Sequence, residues 1–96
     1  MKMTTSSGNV FKDLGFEREE AENLRVRAVL MAEIEKYIRR KGMTQAEAAK
    51  RLGVTQPRIS DLMRGKIDVF SVDTLIAMLA QIGLMVRLRI EKAKAA

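Results

Sequence analysis

Neither cysteine nor histidine occurs in this chain of 96 residues. The first absence excludes disulfides and thiolate metal sites, and the second removes the commonest neutral-pH base and metal ligand. There is no Gly-rich phosphate loop either, and the carboxylates fall where they cap helices or face solvent. No catalytic constellation is visible, so a non-enzymatic protein with no metal and no cofactor is expected. The N-terminus, MKMTTSSGNV, holds no apolar run of signal-peptide length. The most apolar window, Leu75 to Val86, is interrupted by Gln81 and too short to span a bilayer. A cytoplasmic protein without a membrane anchor is the expectation.

What the chain does hold is concentrated between Gln45 and Gly65, in QAEAAKRLGVTQPRISDLMRG. Thr44 and Glu47 have the spacing of a capping box, and Ala48, Ala49 and Leu52 make one apolar face of a short helix that Gly53 ends. Thr55 stands at the N-cap position of a second helix, whose Ile59, Leu62 and Met63 fall at i, i+3 and i+4. Two short helices joined by a Gly-containing turn make a helix-turn-helix unit. An ordinary helical hairpin, with Ala and Gly there only to permit close packing, is the alternative.

The formal net charge is +6. Nine basic residues lie between Lys36 and Lys66 against only Glu47 and Asp61, a local balance of +7, whereas residues 1–35 carry five basic and seven acidic side chains. A basic excess placed on a helix-turn-helix is the footprint of a phosphate-binding face, and counterion release would make its binding salt-dependent. A solvated surface serving solubility is the plainer reading.

Counted from Gln45, the unit resembles the phage-repressor-like (Xre) helix-turn-helix, with Ala49 at the small fifth position, Gly53 at the ninth, and Ala48, Leu52, Val54, Ile59 and Leu62 at interior places. The resemblance implies an all-α, lambda-repressor-like bundle of four or five helices that binds double-stranded DNA. In such a unit the second helix enters the major groove. Its outward face carries Pro57, Ser60, Asp61 and Arg64, with Gln56 and Arg58 flanking. Gln56 suits adenine, Arg58 suits guanine or a phosphate, and Ser60 serves either. Gln45 resembles the family's phosphate-contacting position at a helix N-terminus. Thr55 belongs to the same surface, and Arg64 and Lys66 are expected to hold the DNA backbone. Pro57 stands where several phage repressors place a base-contacting side chain, so it can pack on a thymine methyl but not hydrogen-bond. Asp61 either accepts from a cytosine amino group or, the favoured reading, holds Arg58 or Arg64 at i−3 and i+3.

The flanks divide the chain into an arm (1–16), the helix-turn-helix domain (17–83) and a C-terminal element (84–96). In the arm, Val10, Phe11, Leu14 and Phe16 form an apolar cluster that either tucks over the domain's own core or docks on a partner. A long helix from about Glu17 or Glu19 to Lys41 is acidic at its start and basic at its end. Leu24, Ala28, Met31, Ile34 and Ile38 are assigned to one face, and Val26, Leu30 and Tyr37 to an adjacent strip. Ser71 is read as the cap of a last helix whose apolar face is Val72, Leu75, Ile76, Leu79 and Ile82. Beyond Gly83, Leu84, Val86, Leu88 and Ile90 alternate with Met85, Arg87 and Arg89, which predicts a β-strand. A lone strand needs its backbone groups paired, so a homodimer joined through this strand is expected. Two recognition helices about 34 Å apart then call for an inverted-repeat operator.

Over nearly its whole length the order of parts resembles the HigA-like antitoxins of type II toxin–antitoxin pairs. The arm SSGNVFKDLGF, the acidic start EREEAENLRVRAVL, the motif QAEAAKRLGVTQPRISDLMRGK and the closing FSVDTLIAMLAQIG carry the resemblance. It implies a dimer that represses its own operon and neutralises a small RelE-like toxin, with Val10, Phe11, Leu14 and Phe16 as a candidate toxin surface. A stand-alone Xre-family regulator and a protein-interaction module that never meets DNA remain as alternatives.

Overall fold

The computed structural model describes residues 15–93, with side chains from residue 18 onward. Four α-helices follow one another: α1 (Gly15–Lys41), α2 (Gln45–Leu52), α3 (Gln56–Met63) and α4 (Val72–Gln81), with a 3-10 turn, Ile67–Val69, between α3 and α4. The all-α bundle agrees with expectation, although α1 begins at Gly15, ahead of the predicted start. Of the arm residues, Val10, Phe11 and Leu14 lie outside the described part, and Phe16 is placed only as a residue of α1.

The starts of α2 and α4 are written in side chains. The Glu47 amide donates to the Thr44 hydroxyl at 3.1 Å while the Thr44 amide donates to the Glu47 carboxylate at 2.9 Å, completing the capping box. Ser71 accepts from the Thr74 amide at 3.1 Å in the same way. Gly53 ends α2 in the left-handed region, at φ 73°, and its neighbour Val54 donates back to the Ala49 carbonyl at 3.0 Å. That closure reverses the chain within three residues and brings α3 across α2.

One core joins all four helices. Leu30, Met31, Ile34 and Ile38 of α1 meet Ala48, Ala49 and Leu52 of α2, Ile59 and Leu62 of α3, and Leu75, Met78 and Leu79 of α4, with Phe70 of the connection among them. α1 packs chiefly on α4 and α2 on α3, while α2 also touches α4 and so links the two pairs. On α1 the two predicted strips merge into one buried stripe, Leu30, Met31, Ile34, Tyr37 and Ile38. Ala28, assigned to the core face, is exposed, because the stripe turns away from it before the core begins at Leu30. On α4, Met78 takes the buried place expected for Ile76, which is 41% exposed. Phe70, read only as part of a connection, is 2% exposed and among the largest fully buried side chains.

The first turns of α1 stand outside this core: residues 18–23 are all exposed and ride on surface pairs. Arg25 donates to Glu22 at 2.6 Å, and that bond holds the Glu22 carboxyl below its ordinary pKa. Arg27 Nε donates to the Asn23 side-chain oxygen at 2.7 Å. At the other terminus, residues 84–93 adopt no regular secondary structure, so the predicted strand is not formed within one chain. A strand is defined by its ladder, and among the described residues no second strand is present to pair with it.

Gly53→Ala places a Cβ in the left-handed region and 3.4 Å from the Gln81 side chain. The strain is expected to cost about 1–2 kcal/mol and to lower the thermal midpoint by roughly 4–15 °C, read by circular dichroism. An unchanged midpoint would mean that the turn does not depend on this backbone conformation.

Candidate nucleic-acid interface

The N-terminal turns of α2 and α3 carry most of the residues singled out for DNA. Gln45 is the first residue of α2 and Gln56 the first of α3, and both are exposed, as are Thr55, Pro57, Arg58, Arg64 and Lys66. Ser60 and Asp61, one turn further along α3, are half-buried.

Thr55 departs from its expected part. It holds the N-cap position in extended conformation, yet its side chain makes no capping bond. Pro57 explains this: an N-cap hydroxyl accepts from the amides of the second or third helical residue, and a proline at the second has none. The amide of the third, Arg58, donates instead to the Thr55 carbonyl at 3.1 Å. The hydroxyl is thus left over at the N-terminal, positive end of the α3 dipole, a place suited to a phosphate oxygen.

The C-terminus of α3 fixes the two basic residues beyond it. Gly65, at φ 71°, donates to the Leu62 carbonyl at 3.0 Å, and Lys66 donates through its backbone to Asp61 at 3.0 Å. This closure folds Lys66 back over the last turn and sets its ammonium 4.0 Å from the Asp61 carboxylate. Asp61 therefore pairs with Lys66, not with Arg58 or Arg64. Arg58, expected to face the groove, spends one guanidinium nitrogen on the Val69 carbonyl at 3.2 Å and lies 5.8 Å from the centre of the Phe70 ring.

The basic excess is less concentrated than the linear count implied. Lys36 and Arg39 pair with Glu33 at 3.4 Å and Glu35 at 2.7 Å, acids that fall just outside the counted stretch. Lys41, Lys50 and Arg51 gather where α1 meets α2, lining an open cleft of about 570 Å³ with Met43 and Glu47. There Arg51 donates to the Tyr37 hydroxyl at 3.2 Å, and Lys41 lies 5.8 Å from the Tyr37 ring centre. Arg58, Arg64 and Lys66 are the share that α3 and its connection present. Among the described residues no cluster of acidic side chains able to hold a metal is found, and no helix is long and apolar enough to cross a membrane.

A helix-turn-helix domain family matches residues 10–91, which includes all four helices. The chain belongs to this helix-turn-helix family. A solved structure described, provisionally, as an XRE-family transcriptional regulator is 34% identical and superposes with a TM-score of 0.72, covering 80% of this chain and 90% of that one. No curated protein matches the sequence significantly. The Xre-type reading of Gln45 to Gly65 is thereby supported by both sequence and fold.

In this Xre-type unit the two threonine caps are physically unlike, and stability measurements separate them. Thr44→Ala removes half of a capping box and is expected to cost about 1 kcal/mol in urea unfolding. Thr55→Ala removes a hydroxyl without an intramolecular partner and is expected to stay within about 0.5 kcal/mol of wild type. Equal losses would show that Thr55 caps α3 in solution.

Proposed function

We propose that this protein is a DNA-binding transcriptional repressor that acts as a homodimer on an inverted-repeat operator, and that it is the antitoxin of a toxin–antitoxin pair. The observation that carries the DNA-binding part is the uncovered N-terminal turn of α3, with Thr55, Gln56 and Pro57 exposed in a helix-turn-helix of the Xre type. Gln56 is assigned to base edges, Pro57 to a thymine methyl and Ser60 to either bases or backbone. Gln45, Thr55, Arg64 and Lys66 are assigned to phosphates, and Asp61 to restraining Lys66. The protein binds and does not catalyse, and it works in the cytoplasm where its operator is.

The dimer rests on the C-terminal segment. Val86 packs half-buried against the core, while Leu84 is 42%, Leu88 78% and Ile90 94% exposed beside backbone groups that have no ladder. Bare aliphatic side chains on an unpaired extended segment suit the same segment of a second copy, which would satisfy the backbone and cover the side chains together. The antitoxin part rests on the resemblance of the flanking segments and on the apolar arm residues Val10, Phe11, Leu14 and Phe16. A stand-alone regulator is the second reading, supported by the likeness to a solved structure described as an XRE-family transcriptional regulator.

Fluorescence anisotropy against the protein's own upstream DNA and a scrambled control tests the central claim. A preference of at least about a thousandfold that is lost when the inverted repeat is broken is expected; equal binding to both duplexes would refute it. Gln56→Ala is expected to cost about 1–3 kcal/mol on the native site and to relax one base position, whereas Lys66→Ala weakens both duplexes alike and reduces the salt slope by about 1. A Leu88→Asp, Ile90→Asp double variant should sediment as a monomer if the C-terminal segments pair, and a dimer of wild-type affinity would place the interface elsewhere. A chain lacking residues 1–16 should keep operator binding and lose rescue of growth against a co-expressed RelE-like toxin from an adjacent reading frame. Intact rescue would remove the arm from the toxin surface.

A further inference from the structure

The connection after α3 is too short to hold itself. Its 3-10 turn spans only Ile67–Val69, and such turns are weakly bonded. To its own backbone bonds and the burial of Phe70 are added two arginines on different helices. Arg27 of α1 donates one nitrogen to the Ile67 carbonyl at 3.0 Å and to the Phe70 carbonyl at 3.4 Å. Arg58 of α3 donates to the Val69 carbonyl between them, at 3.2 Å, with its guanidinium 5.8 Å from the Phe70 ring centre. Three carbonyls of one short connection are thus taken by charged donors from its two sides, and Phe70 is anchored in the core beneath them.

We infer that Arg27 and Arg58 form a clasp that positions the connection carrying Lys66, and that Arg58 is a positioning residue and not a reader of bases. This rests on the DNA-binding reading above for its consequence, though not for its geometry. Asn23 pre-orients the Arg27 side chain through the 2.7 Å bond to Nε, leaving the far nitrogen free to reach the connection. An Arg58 that turned to a guanine would forfeit a charge-assisted hydrogen bond and an aromatic face together. A guanidinium already committed in the free protein is better placed to hold Lys66 at the phosphates than to search for a base, because a preformed surface pays less ordering entropy on binding.

The test uses the full chain with Arg27→Ala and Arg58→Ala, checked for folding by circular dichroism, and Arg27→Gln should the first fail to fold. Two readouts are taken: amide hydrogen exchange at Val69 and Phe70, and operator affinity over a salt series. The clasp predicts that both variants speed exchange at these amides by about tenfold or more, the loss of roughly one hydrogen bond to a charged group. It also predicts operator binding weaker by a similar factor at every salt concentration, with the salt slope and base preference of wild type. A slope reduced by about 0.9 in Arg58→Ala with exchange unchanged would make Arg58 a phosphate contact, and a preference relaxed at one base pair would make it a reader; either overturns the clasp. Wild-type exchange in Arg27→Ala overturns it as well. If the wild-type protein does not distinguish its operator, the DNA-binding reading fails on its own, and the exchange rates still decide the clasp.

Discussion

The fold depends on how closely α2 can approach its neighbours. It is eight residues long, too short to persist alone in water, and it is the element that touches both α3 and α4. Ala48 and Ala49 make this possible: with single methyl groups buried at the crossing, the backbones come together while Leu52, one turn on, fills the space between. Everything that concerns DNA inherits its placement from that contact. α3 is set by the reversal at Gly53, and the turn is held from behind by Val54 donating to Ala49, a residue of the same buried face.

Features encoded within a few residues were legible in the sequence. Thr44 with Glu47, Ser71 and the glycines after each helix mark helix ends at fixed short spacing, so these ends could be located to within a residue or two, unlike the start of α1. The same holds for the exposed turn at Thr55 to Pro57, although its chemistry needed one more step, since the second residue of α3 is a proline without an amide and the third turns its amide to the Thr55 carbonyl. Periodicity found the buried face of α2 and α3 completely and that of α4 with one exchange, Met78 for Ile76, which stand at opposite edges of that face.

What escaped was tertiary. Phe70 sits in a connection without period, and nothing near it in sequence says that it turns inward. Arg27 meets the Ile67 carbonyl across forty positions of chain. Arg58 has the charge of a DNA-contacting side chain, and only the position of Val69 reveals that one of its nitrogens is bonded within the fold. Charge counting erred for a related reason: Lys36 and Arg39 look free until Glu33 and Glu35, one helical turn back, are brought beside them. The C-terminal alternation predicted a strand, but a pattern of period two specifies one only where a neighbour exists to complete the ladder, and residues 84–93 have none among the described residues.

The exposed start of α1 and the surface around α3 feel the same solvent variable. Residues 18–23 bury nothing, and the pairs on their surface, such as that between Glu22 and Arg25, are exposed on both sides. Such pairs stiffen a rod only as far as the ions around it allow. Ionic strength therefore acts on the chain in two places: around α3 it competes for the places a phosphate would take, and on the exposed first turns of α1 it screens the pairs that brace the helix surface.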